Sequence, residues 1–269
     1  MLFTVFLATI FGLLAGGVIN WLADDLPYTY LVKPPHYPDG TPRPLLAWLG
    51  ITAYLCGYEQ APLTGARISW RHPATEIATA LLFGYVVLIF PLGWATLVLW
   101  MNIFMLTLIT VIDLEHRIIL VMVIILGCVL ALLGNLLAGH EIASRISFGD
   151  YLWGGVAGFL LFLLLYLGGM LFNNVISNAR GEEITEVALG YGDVLLAAMS
   201  GFILGWQALI FAVVIAVFAG GVGALLFLSA RLVVKGHYEL FTALPYGQYI
   251  VFGTLIMMLW RSSIASFFL

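Results

Sequence analysis

Two aspartates, Asp113 and Asp193, stand at the edges of long apolar runs. A carboxylate beside hydrocarbon is costly unless it has a partner, a water-filled cavity or a task. Asp193 follows two glycines in Gly190-Tyr191-Gly192-Asp193 and opens the run Val194-Leu195-Leu196-Ala197-Ala198-Met199, whereas Asp113 closes another run far upstream. Two carboxyls brought close together cannot both ionise, so they share a proton. One stays charged as general base for a water, and the other stays neutral as acid toward a scissile carbonyl. Their titration then belongs to the pair. A helix starting near Asp193 favours the ionised form there, which makes Asp113 the candidate for the protonated partner. Gly190 and Gly192 lack Cβ atoms and are expected to allow a sharp turn and close approach of an extended substrate backbone.

Each carboxylate also has a purely structural reading. Asp193 would simply cap its helix, and Asp113 would be an interfacial residue paired with Arg117 four positions on. The glycines and a shared membrane face favour the chemical reading. The alternative function is a small membrane transporter or channel subunit using the two aspartates as proton or cation sites, which are expected near the bilayer midplane rather than at span ends.

The elements that must position these residues are membrane helices. Of 269 residues 63% are hydrophobic and only 9% charged, too few charges to coat a soluble surface. With mean hydropathy at +1.09 and apolar runs recurring from end to end, the chain reads as an all-α polytopic membrane protein. The runs lack the alternation of barrel strands, so helices are the remaining way to satisfy a backbone in lipid. Eight transmembrane helices are expected, at about 2–22, 74–91, 95–112, 118–138, 151–172, 193–205, 208–230 and 248–265. The first lacks basic residues and a clear cleavage site, so it reads as a retained span.

Basic residues set the orientation. With the N-terminus outside, Lys33, Arg43, Arg67, Arg71, Arg117, Arg180, Arg231 and Lys235 fall on the cytoplasmic side, against Arg145 and Arg261 outside. Asp113 and Asp193 then share the cytoplasmic face. The longest polar stretch, from Asp24 to Pro73, is rich in proline and reads as a cytoplasmic cap, with a short amphipathic piece from Leu45 to Tyr58. Cys56 and Cys128 are too few for a disulfide framework or a four-cysteine zinc site. His36, His72, His116, His140 and His237 are dispersed and read as surface or interfacial. Trp21, Trp94, Trp100, Tyr151 and Trp260 read as an interfacial belt. Glu76, three residues into a span, needs a partner, for which Arg71 is the candidate.

Five segments, in order, resemble the type IV prepilin peptidases, membrane aspartic proteases with a Gly-x-Gly-Asp motif. Gly12–Pro27 (GLLAGGVINWLADDLP) is similar to the family's opening helix, with Gly16 and Asn20 in place. Arg67–Phe83 (RISWRHPATEIATALLF) resembles the segment leading into the second helix, including Arg71, Pro73 and Glu76. Ile112–Ile119 (IDLEHRII) and the GYGDVLLAAMSG stretch resemble the two aspartate segments. Leu244-Pro245-Tyr246-Gly247 is similar to the stretch before the last helix.

The resemblance implies that Asp113 and Asp193 are the catalytic pair. They would remove the short basic leader from type IV prepilins or pseudopilins at the cytoplasmic face of the cell membrane. It also implies an N-terminal region, 1–92, that resembles the family's methyltransferase part, and a peptidase membrane domain, 93–269. Gly190, Gly192, Glu115 and Glu76 are candidates for substrate binding or positioning, and the acidic Glu115, Glu182, Glu183 and Glu186 suit a basic leader. The expected partners are the prepilin and the lipid bilayer, with no nucleic acid. Peptidase chemistry needs no cofactor, whereas methylation of the new N-terminus would use S-adenosylmethionine. The sequence departs from the family in three places. Leu120 and Val121 stand where a proline break is usual after the first aspartate, Cys56 alone remains of two Cys-x-x-Cys pairs, and Ala80 stands where glycine is common. No zinc is therefore expected.

Overall fold

The computed structural model describes residues 1–29, 32–144, 146–180, 189–235 and 246–268. Arg145, Glu182, Glu183, Glu186, His237 and the Leu244-Pro245 half of the last motif lie outside the described residues. The described residues form nine α-helices: α1 (Leu2–Asp25), α2 (Gly50–Cys56), α3 (Arg71–Ile89), α4 (Trp94–His116), α5 (Val121–Ile142), α6 (Phe148–Arg180), α7 (Tyr191–Leu204), α8 (Trp206–Lys235) and α9 (Tyr246–Phe268). A single 3-10 turn, Leu45–Ala47, precedes α2, and the described residues hold no strand beyond isolated bridges.

The all-α reading stands, and each of the eight apolar runs coincides with a helix. Helix length and apolarity give six candidate spans among the described residues (α1, α3, α4, α5, α6 and α8), where the sequence reading has eight. The centrally packed α7 has 14 residues, about 21 Å at 1.5 Å per residue, short of a hydrocarbon core of about 30 Å. Large apolar side chains stay exposed along whole helix faces, such as Phe3, Phe6, Leu7, Ile10 and Leu14 on α1 and Leu160, Leu164 and Leu171 on α6. Exposed apolar surface on this scale suits lipid, not water.

The chain divides into two compact units, Met1–Ile118 and Ile119–Leu269. In the first, α1 packs chiefly against α3. The approach is backbone-close, since a Cβ on Gly16 would lie 2.6 Å from the Glu76 Cα. Small residues at such crossings let dispersion contacts replace the hydrophobic effect that lipid cannot supply. Beside that crossing Phe83 and Trp100 stack at 5.1 Å, with Phe11 5.4 Å from Trp100. Trp100 is thus buried between helices rather than placed in an interfacial belt, and its Nε1–H donates to the Phe83 carbonyl at 3.1 Å. Tyr151 departs from the belt reading in the same way, being 2% exposed. Both rings have apolar bodies large enough to fill a crossing and a polar tip that finds a carbonyl there.

The proline-rich stretch after α1 closes on its own small core of Tyr37, Ala47, Ala53, Ala61 and Ile68. Tyr37 donates its hydroxyl to the Tyr58 carbonyl at 2.8 Å, and the Asp39 carboxylate accepts from the Thr41 and Thr64 hydroxyls. These bonds hold the loop together. No group of three or more potential metal ligands occurs among the described residues, and Cys56 is exposed.

In the second unit α7 touches α5, α6, α8 and α9. Its residues are buried almost all round, including Val194, Leu196, Ala197, Met199, Ser200, Gly201 and Leu204, as a helix enclosed by other helices requires. The tightest crossing is with α6, where Gly154 and Gly201 meet backbone to backbone. The Asn135 amide donates to the Phe202 carbonyl at 2.7 Å, and the Arg261 guanidinium donates to the Leu204 carbonyl at 3.0 Å. Carbonyls at the C-terminal end of α7, which have no acceptor role inside the helix, are satisfied by these neighbours.

Candidate active site

Asp193 is the third residue of α7, with Gly190 as N-cap. Its Oδ2 accepts the Gly190 N–H at 3.1 Å, and its own N–H donates to the Gly190 carbonyl at 3.0 Å. This is the carboxylate half of a capping box. A negative side chain in the first turn also complements the positive end of the helix dipole. The side chain is 8% exposed.

The two glycines act differently from expectation. Gly190 has φ −78° and ψ 152°, open to any residue, and Gly192 lies within the helix, so no special backbone turn depends on either. A Cβ on Gly192 would instead stand 2.6 Å from the Ile119 Cβ. Gly192 is small because the start of α7 packs against the residue leading into α5.

Asp113 lies in the last turn of α4 and is 7% exposed. The missing proline does not extend that helix. It stops at His116, and Arg117 takes a left-handed conformation (φ 54°, ψ 36°) while donating its N–H to the Asp113 carbonyl at 2.8 Å. The sequence signal for a break was sought in proline, and the break is made by a residue type that rarely adopts this conformation.

Glu76 is wholly buried, and the partner expected for it is corrected. Arg71 does not pair with it. Its Oε1 accepts the Gly50 N–H at 2.6 Å and its Oε2 the Ile51 N–H at 2.9 Å, capping α2 from outside its own segment. Asn20 donates to the same carboxylate at 3.5 Å and to the His72 carbonyl at 2.9 Å.

Arg71 is engaged by two other carboxylates. Its guanidinium pairs with Asp24 at the end of α1 and with Glu115 in the last turn of α4. Asp24 also meets Arg43 at 3.2 Å and His72 at 3.2 Å. His72 is therefore not at the surface, being 3% exposed. Desolvation lowers the pKa of the buried Arg43 in the loop, and Asp24 opposes that shift. Sequence reasoning assigned no role to Asp24, Arg43 or His72. The available signal was a pair of aspartates closing the first helix, with isolated cations 19 and 47 residues away.

Along α3 and α4 runs a groove of about 480 Å³, lined by Ser69, Arg71, Thr75, Thr107, Leu114 and Glu115 among others. Its wall carries hydroxyls and Arg71, whose buried Nε has no hydrogen-bond partner among the described residues.

A multi-helix apolar chain with a buried carboxylate at the end of one helix in each compact unit defines the class of multi-pass membrane proteins with acidic groups at helix ends. Residues 100–225 match the type IV leader peptidase family. The chain is 33% identical over 229 residues to a prepilin leader peptidase/N-methyltransferase of Aeromonas hydrophila, covering 84% of this chain and 69% of that protein. The protein of the same description from Aeromonas salmonicida is 31% identical, covering 84% and 68%, and that from Bacillus subtilis 28%, covering 76% and 72%. The chain belongs to the type IV leader peptidase family. No solved structure matches it.

Proposed function

We propose that this protein is a membrane aspartic endopeptidase that removes the short basic leader from type IV prepilins or pseudopilins at the cytoplasmic face of the cell membrane. The observation supporting this is the position of the two aspartates, in the last turn of α4 and the first turn of α7, in a chain of this family. Positions at helix ends suit a substrate arriving at the membrane surface, whereas a transport site is expected near the midplane. The ionised carboxyl takes a proton from water as its oxygen attacks the scissile carbonyl carbon. The neutral carboxyl gives its proton to the carbonyl oxygen, and collapse of the tetrahedral intermediate breaks the C–N bond with protonation of the leaving amine.

The experiment is cleavage of a purified prepilin by the purified chain in detergent, repeated with Asp113→Asn and Asp193→Asn. Cleavage by the parent and none by either variant supports the reading; full cleavage by a variant ends it. Replacing both aspartates by cysteine, in a background without Cys56 and Cys128, tests whether the two positions meet, since an oxidised cross-link requires Cα atoms within about 7 Å.

The relatives' names couple the peptidase to an N-methyltransferase, and methylation of the new N-terminus is the second activity proposed here. The groove along α3 and α4 is the candidate place for S-adenosylmethionine. Ser69, Thr75 and Thr107 offer hydroxyls along its wall. When bound, that molecule supplies the methyl group. Equilibrium binding of labelled S-adenosylmethionine, with and without a bulky residue at Ala78 in the groove, is the measurement.

A further inference from the structure

The last turn of α4, which carries Asp113, is followed by a left-handed Arg117 and not by more helix. Helix ends fray unless something else holds them, and paired carboxyl chemistry tolerates little play, since about 1 Å of misplacement can cost about a hundredfold in rate. In the first unit that turn has two lateral ties. The Tyr28 ring meets the His116 ring edge-on at 5.2 Å, and Arg71 pairs with Glu115, two residues past Asp113. Arg71 simultaneously holds Asp24, which Arg43 and His72 fix from two other directions.

We infer that Arg71 is a positioning residue for the peptidase reaction: through Glu115 it fixes the last turn of α4 and with it the Asp113 carboxyl. The inference rests on the function proposed above. The guanidinium suits the task because its planar fork can engage two carboxylates at once in fixed directions, which a lysine point charge does not do. Burial strengthens the Arg71 end of the tie, whose side chain is only 14% exposed beside Asp24 at 21%, while Glu115 at 38% is its open end. The same geometry changes the role of Glu115. A carboxylate paired with Arg71 is a weaker partner for a basic leader, and the pair serves the position of α4 instead.

The test measures kcat and KM for prepilin cleavage, with full pH profiles, for the parent, Arg71→Ala, Arg71→Lys and Glu115→Gln. The expected result is a fall in kcat of roughly 10- to 100-fold for Arg71→Ala with KM within about twofold. Arg71→Lys should recover only part, Glu115→Gln should lie in the same direction, and the pH profile of kcat should move by at least about half a unit because the dyad is displaced. A raised KM with unchanged kcat in Glu115→Gln assigns Glu115 to the leader and overturns the inference. So does a lower kcat with an unmoved pH profile, the mark of a smaller folded fraction. Parent-like kinetics in Arg71→Ala overturns it alone. A parent protein that does not cleave prepilin overturns the proposed function and this inference with it.

Discussion

Glu76 on α3 caps α2 across a separation of 26 residues, accepting the Gly50 N–H at 2.6 Å. With the Ile51 N–H on its other oxygen, a single buried carboxylate satisfies two of the N–H groups that a helix start leaves without internal acceptors. Glu76→Ala leaves two donors without an acceptor in a buried place, at about 1–3 kcal/mol for each group left unsatisfied. The expected loss is about 3 kcal/mol of stability, read as a lower thermal midpoint in detergent. Glu76→Gln keeps one acceptor oxygen and should lose about 1 kcal/mol.

The left-handed Arg117 supplies a prediction of opposite sign. A side chain in this conformation costs about 1–2 kcal/mol relative to glycine. Arg117→Gly should therefore stabilise the chain, by about 1 kcal/mol or less once the greater freedom of the unfolded glycine is counted. Arg117→Val, β-branched at the same φ of 54°, should destabilise it by at least about 1 kcal/mol. Thermal unfolding of the two variants side by side gives the order, which is reversed if α4 continues past His116 in solution.

Eight of the nine helices among the described residues were legible in the sequence because each coincides with an apolar run, and hydrophobicity alone marks such runs. The two aspartates were legible because carboxylates at the edges of apolar runs are rare and costly. What escaped was pairing at long range. Asp24, Arg43, Arg71, His72 and Glu115 look like ordinary polar residues of a loop and two helix ends, and only the packing of α1, α3 and α4 brings their charges together. The end of α4 was expected from the spans on either side, but the residue that makes it was not. A proline marks a break in sequence, but a left-handed arginine leaves no signature there. The role of Gly192 also depended on a neighbour distant in sequence, Ile119, which no local pattern names.

Glycines in α6 and α7 separate crossing positions from open ones. A Cβ on Gly201 would lie 2.1 Å from the Gly154 carbonyl oxygen, backbone that has no room to move aside, whereas a Cβ on Gly168 meets nothing within 4 Å. Gly201→Ala should cost at least about 1–3 kcal/mol through overpacking between α6 and α7. Gly168→Ala should be neutral or stabilising by up to about 1 kcal/mol, because alanine is the better helix former. Midpoints measured for both variants check the contrast; equal losses would show that the close crossing does not persist in solution.

The cap loop carries its own acid sensitivity. Hydrogen bonds from the Thr64 hydroxyl, and then from the Thr41 hydroxyl and N–H, hold the Asp39 carboxyl down at about 2. An unfolded aspartate titrates near about 3.9. A depressed folded pKa means that the unfolded loop binds the proton more readily, so the contribution of Asp39 is fully present above about pH 4 and is lost as pH falls through about 2. Thr64→Val removes the largest of these effects, so the Asp39 pKa should rise toward the ordinary value and the acid-dependent part of the loop's stability should shrink. Titration of the Asp39 carboxyl carbon by NMR in the intact chain reads the pKa directly. The expected outcome is a value near 2 in the parent and a higher one in the variant; identical values in both would remove Thr64 from the account of how this loop is held.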